Sequence, residues 1–231
     1  MQKGEDIEFE ISHGPSFSIL TVCLHEGQKM KAETGAMVFM DTSVRLNPTT
    51  GGVFGAFKRK LARESFIINE FESDSGGRLG LAPSYPGDMI HIAMRSGDRW
   101  VISSGAYMAS SLGVKTDSKF QGFKRGFFSG ESMFFLDATA ESPSDMFLAA
   151  YGGLKEFNLD YGQDIILDNG HLVAMDSKCK YDIVKVGGLK ASMFSGEGMV
   201  LKVTGPGKII TQTRAPSSLI SWLGGMIKAK G

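Results

Sequence analysis

Cysteine is scarce in this chain: Cys23 and Cys179 are the only two among 231 residues. A disulfide framework is therefore excluded as the main source of stability, and two buried thiols in a reducing compartment are expected. Long apolar runs are also missing. No stretch of 18 or more apolar residues occurs, so no helix is expected to span a membrane. The opening MQKGEDIEFE is charged and lacks the apolar segment of a secretory signal. Neither sign of charge is in excess. Lys+Arg and Asp+Glu both total 25, so no global field draws the protein to nucleic acid or anionic lipid, although a local patch is still allowed. Histidine is sparse as well: His13, His25, His91 and His171. None stands two residues from another, the spacing that lets one strand aim two imidazoles at one ion. His91 falls between Ile90 and Ile92, taken as inward positions, and is expected to face outward. No metal site and no cofactor are expected. The sequence has no Gly-x-Ser-x-Gly, and GGVFGAF lacks the Lys-Ser/Thr ending of a phosphate loop.

Glycine, by contrast, is abundant: 30 residues, about 13% against a usual ~7%. It is also periodic. GQKMKAETG, GDRWVISSG and GQDIILDNG place Gly27, Gly97 and Gly162 eight residues before Gly35, Gly105 and Gly170. A turn, a short strand and a second turn explain that spacing, with Gly35, Gly105 and Gly170 expected at positive φ. Apolar residues keep the same register. Val22 and Leu24, Ile92 and Met94, and Phe157 and Leu159 precede the first glycine. Met30 and Ala32, Trp100 and Ile102, and Ile165 and Leu167 follow it. This period of two marks strands with one buried face. Downstream, RESFIINEF, GESMFFLDA and GEGMVLKVT align on Glu64, Glu131 and Glu197.

Three units of about 70 residues, each mostly strand, imply an all-β protein in which the units bury their common faces against one another. The expected division is 1–76, 77–146 and 147–214 in a pseudo-threefold arrangement. A tail over 215–231 follows, forming a short C-terminal helix. Edge strands left by such packing must be paired or covered, which predicts a homo-oligomer, with a trimer favoured.

GAMVFMD, GGVFGAFKRKLARESFIINEF, LAPSYPGDMIHI, SGAYMAS, FFSGESMFFLDATA, DNGHLVAMD and GPGKIITQTR resemble the prokaryotic branch of the altered inheritance of mitochondria family. The resemblance implies three repeats of a short double-stranded β-helix, related to the tryptophan RNA-binding attenuation protein, and trimeric assembly. Eukaryotic relatives are associated with inner-membrane organisation in mitochondria. The family has no established catalytic residues, so none is carried over.

The candidate interaction surface is GGVFGAFKRKLARES. It sets Phe54 and Phe57 beside Lys58, Arg59, Lys60 and Arg63, and the second unit echoes it with Lys124 and Arg125. Aromatics with adjacent cations suit an anionic lipid surface or, less favoured, RNA. Glu64, Glu131 and Glu197 are read as structural acids that accept turn or strand-edge N–H groups. In the tail, Leu219, Trp222, Leu223, Met226 and Ile227 recur at helical spacing after a Pro216-Ser217-Ser218 start, with one of the serines as the cap. The function expected is a noncatalytic, self-associating scaffold or membrane-associated interaction protein, cytoplasmic and peripheral to a membrane. An RNA- or small-ligand-binding module is the alternative, although no small-molecule ligand is identifiable. A hydrolase or metalloenzyme ranks third.

Overall fold

Three hairpin turns are built alike. Gly27, Gly97 and Gly162 have φ of +71°, +89° and +76°, the left-handed region that glycine enters without a Cβ clash. Each is the third residue of a four-residue turn: His25–Gln28, Arg95–Asp98 and Asp160–Gln163. In each turn the fourth N–H donates to the first carbonyl, at 3.0, 3.0 and 3.1 Å. The fourth side chain accepts from the first N–H in return. Gln28 does so at 2.9 Å, Asp98 at 2.8 Å and Gln163 at 3.0 Å. The second glycine column is less uniform than expected. Gly35 is left-handed, at +93°, but Gly105 and Gly170 are not. Gly170 lies in a 3-10 turn, Asn169–His171, capped by the Asp168 carboxylate, and this closes the chain without a positive φ.

The computed structural model describes residues 1–48, 68–103, 105–119, 135–185 and 199–228. The described strands run, in chain order, β1 (Gln2–Lys3), β2 (Glu8–Ser12), β3 (Ile19–Leu24), β4 (Lys29–Glu33), β5 (Met37–Met40), β6 (Val44–Pro48), β7 (Ile68–Ser73) and β8 (Gly77–Leu81). They continue as β9 (Met89–Met94), β10 (Arg99–Ser103), β11 (Tyr107–Ser111), β12 (Val114–Lys119), β13 (Phe135–Ala140) and β14 (Ser144–Ala149). The last are β15 (Leu154–Leu159), β16 (Asp164–Asp168), β17 (Leu172–Asp176), β18 (Lys180–Lys185), β19 (Met199–Thr204) and β20 (Gly207–Gln212). One α-helix, α1 (Pro216–Lys228), follows. The fold is all-β with a short C-terminal helix.

The chain divides into two compact units. The first comprises Met1–Asp98, Tyr107–Lys115 and Thr139–Ala149. Its sheets are ordered β1-β2-β3-β8-β5 and β6-β7-β4-β11-β14-β9. Phe9, Leu20, Val22, Leu24, Met30, Phe71 and Phe147 form its core. Burial alternates strictly along β3, as the period of two requires. The second unit comprises Arg99–Ala106, Thr116–Ala138 and Ala150–Gly231. Apart from the ends of β12 and β13, it holds the sheets β12-β13-β10-β17-β20-β15 and β16-β19-β18. Leu159, Leu172, Met175, Leu201 and Ile209 pack its core, together with Cys179. Cys179 is buried and free, whereas Cys23 is only half-buried, because it sits on the less covered face of β3.

The two six-stranded sheets follow one rule of strand order. The first joins β6, β7 and β4 to β11, β14 and β9. The second joins β12, β13 and β10 to β17, β20 and β15. Each number in the second is six higher than its counterpart in the first. A register irregularity also recurs, between Met37 and Phe39, between Tyr107 and Ala109, and between Leu172 and Ala174. Such bulges bend a strand and raise its twist.

Candidate functional site

The most polar interior point of the first unit is Asp145, on β14, a strand buried at every residue. Charge at such a place must be compensated. Its Oδ1 accepts from the Glu5 N–H at 2.9 Å and lies 2.6 Å from His91 Nε2. Its Oδ2 accepts from the N–H groups of Asp6 at 2.7 Å and Ile7 at 2.9 Å. Gly4 leaves room for the carboxylate: a Cβ there would lie 2.4 Å from Oδ1. Burial pushes this carboxyl up, but the His91 hydrogen bond and the three backbone donors outweigh it and hold the group below the usual carboxylate range. His91 does not face outward as its neighbours in sequence suggested. Its ring centroid lies 4.4 Å from that of Phe9 and 5.2 Å from that of Phe147, because the N-terminal segment covers this face of β9. Both carboxylate oxygens are engaged twice, so the cluster fastens residues 4–7 to the sheet. The only signal in the sequence was one Asp at the head of the apolar run DMFLAA.

Two other places expose several large apolar side chains in one short stretch of chain. The first is α1. It begins at Pro216, one residue ahead of the serines expected to cap it. The backbone carbonyl of Ala215 accepts from the Ser218 N–H at 3.1 Å, and so makes the capping turn instead. Leu219, Trp222, Leu223, Met226 and Ile227 are all exposed, and so is Ile220, which stands beside them on the helix. At 100° per residue these six fill an arc of roughly 160°, and the opposite arc holds only Ser217, Ser218, Ser221, Gly224, Gly225 and Lys228. Residues 215–231 contain no acid.

The second place is β5. Met37, Val38, Phe39 and Met40 are exposed along its whole length. The Phe39 ring covers Gly80, where an added Cβ would stand 2.1 Å from it.

The remaining sequence candidates, Phe54, Phe57, Lys58, Arg59, Lys60, Arg63, Lys124 and Arg125, lie outside the described residues, as do Glu64, Glu131 and Glu197. Among the described residues no three His, Cys, Asp or Glu side chains gather as a metal site requires. No helix among them is long and apolar enough to cross a membrane.

Comparison with known proteins places these features in context. The family described as mitochondrial biogenesis AIM24 matches residues 9–214. An uncharacterised protein of Streptococcus pyogenes serotype M6 is 28% identical over 216 residues, covering 90% of this chain and 86% of that one. A crystal structure of a Streptococcus pyogenes protein superposes with a TM-score of 0.77 at 25% identity. It covers 97% of this chain and 100% of its own.

Proposed function

Because the chain belongs to the mitochondrial biogenesis AIM24 family, we propose that it is a noncatalytic, self-associating interaction protein that docks on an anionic membrane surface from the cytoplasm. Its three repeats are proposed to assemble as a homotrimer. The observation that carries this reading is the exposed apolar arc of α1, backed by serine, glycine and lysine. A helix of that make-up lies in the lipid interface, with its apolar face among the acyl chains and its cations at the headgroups. Trp222, 61% exposed, suits the boundary between the two media. A trimer would present three such helices, and linked weak contacts reinforce one another when geometry lets all engage. The polar interior supports the noncatalytic part, since Asp145 is occupied in holding the chain's own backbone and His91 in holding Asp145. The basic aromatic segment around Lys58–Lys60 would add charge attraction, on the strength of its sequence alone.

Vesicle flotation tests the reading. Wild type is expected to float with vesicles of phosphatidylglycerol and phosphatidylcholine, less so in high salt. A Trp222→Ser, Ile227→Ser variant is expected to stay in solution with its melting temperature unchanged. Equal flotation of both proteins, or of neither, would overturn the membrane reading. A shift of single-stranded RNA by wild type without flotation would favour the nucleic-acid module in its place.

A further inference from the structure

The strand-order rule of the two complete sheets has a third application, and the described chain leaves it unfilled. Strand β16 pairs with β19 along one edge, and β5 pairs with β8 along one edge. Each ends its sheet, so among the described residues the other edge of each is unpaired. Setting β16 beside β5 gives the order β18-β19-β16-β5-β8-β3. By chain position this is the pattern of β6-β7-β4-β11-β14-β9 and of β12-β13-β10-β17-β20-β15.

The register is determined too. In the β4–β11 ladder, Met30, Lys31 and Ala32 face Ser111, Ser110 and Ala109. In the β10–β17 ladder, Trp100, Val101 and Ile102 face Asp176, Met175 and Ala174. Counted from the turn glycine on one strand and from the bulge on the other, the two ladders coincide. Carried to the third case, Ile165 faces Asp41, Ile166 faces Met40 and Leu167 faces Phe39.

The side chains favour this match. At the equivalent places β11 reads YMASS and is buried throughout, whereas β5 reads MVFM and is exposed throughout. The more apolar strand is thus the one in water. It carries neither the lysine nor the proline with which solvent-facing edges are usually blunted. On β16, Ile166 is 59% exposed, at the centre of the matching segment.

We propose that the β5 edge of one copy takes the β16 edge of a second copy as its missing strand, in this antiparallel register. The inference rests on the self-association proposed above and names the surface that performs it. Each copy offers one β5 edge and one β16 edge, so the contact is head-to-tail, and a closed trimer pairs every β5 edge with a β16 edge.

Disulfide trapping tests it, with Met40→Cys and Ile166→Cys in one chain. Mild oxidation is expected to give covalent dimers and trimers on a non-reducing gel. Neither single variant should do so, which controls for Cys23 and Cys179, nor should Met37→Cys with Ile166→Cys, which is out of register. Light scattering of the unmodified protein separates the failures. An oligomer without the Met40–Ile166 disulfide would sink the edge pairing and leave self-association standing. A particle of 24.9 kDa with no cross-link would sink both. A disulfide formed within single chains would rule out the second copy as the occupant.

Discussion

Strands β5 and β17 hold the same place in the strand order, and each carries a valine at its bulge. Val173 is fully buried, whereas Val38 is 55% exposed. Their sequences, MVFM and LVAMD, are about equally apolar. The difference lies in the neighbours. β17 stands between β10 and β20, while among the described residues β5 has β8 alone. Burial here is therefore decided by what lies beside a strand and not by its composition. An apolar strand with one free edge is a surface awaiting a partner.

The largest expected effect contrasts the two valines directly. Val173→Lys would bury an unpaired ammonium and should cost about 4 kcal/mol or more, enough to unfold much of the protein. Val38→Lys, measured by urea denaturation under the same conditions, marks the other end of the scale.

Next in size is Asp145. Its replacement by Ala orphans three backbone N–H groups and the His91 ring nitrogen in a buried place, an expected loss of about 3 kcal/mol in urea denaturation. Acid should act on the same residue. Its carboxyl titrates lower in the folded chain than in the unfolded one. The stability it contributes is thus fully present above the unfolded value of about 3.9 and is lost as pH falls through the lower folded value. The gap in urea midpoint between wild type and Asp145→Asn should narrow as pH drops below about 4. A gap constant from pH 6 to pH 3 would show that the carboxylate is not what fastens residues 4–7.

The turn glycines come next. Among the described residues, Gly27→Ala, Gly97→Ala and Gly162→Ala meet no atom within 4 Å, so the left-handed backbone is what opposes them, at about 1 kcal/mol each. Gly105→Ala, which has no left-handed φ and whose added Cβ would meet no atom of the described residues within 4 Å, should be near neutral. Equal melting temperatures for all four variants would show that φ does not control these turns.

The contrast between the glycine columns also shows how far the sequence could be read. Gly27, Gly97 and Gly162 were legible as turns because a four-residue hairpin turn has one solution here: glycine third and an acceptor side chain fourth. Val22, Leu24, Ile92 and Met94 were legible because alternation in a strand is strict. Gly170 was misjudged because Asp168 offers its loop a different closure, which the glycine spacing does not reveal. Asp145 was missed because its partners are backbone N–H groups about 140 positions away, and such donors leave no mark in residue type. His91 was misplaced for the same reason, since the cover over its face comes from the N-terminus. The amphipathic tail was legible almost completely. The exposure of β5 was not, because GAMVFMD reads like its buried counterparts and pairing is non-local.

The smallest expected effect is that of Val38→Lys. It should change the stability of the chain by less than about 0.5 kcal/mol, yet it should lower the oligomeric state seen by light scattering. A loss as large as that of Val173→Lys would mean that β5 is covered within its own chain.

Amide hydrogen exchange in the native assembly examines the unfilled edge most directly, with strands β5, β11, β16 and β17 followed together. Pairing of β5 with β16 between copies predicts that the amides of Met37–Met40 and of residues 165–167 are protected as strongly as those of Tyr107–Ser111. Fast exchange along the outer edges of both strands, with β11 and β17 fully protected, would contradict it.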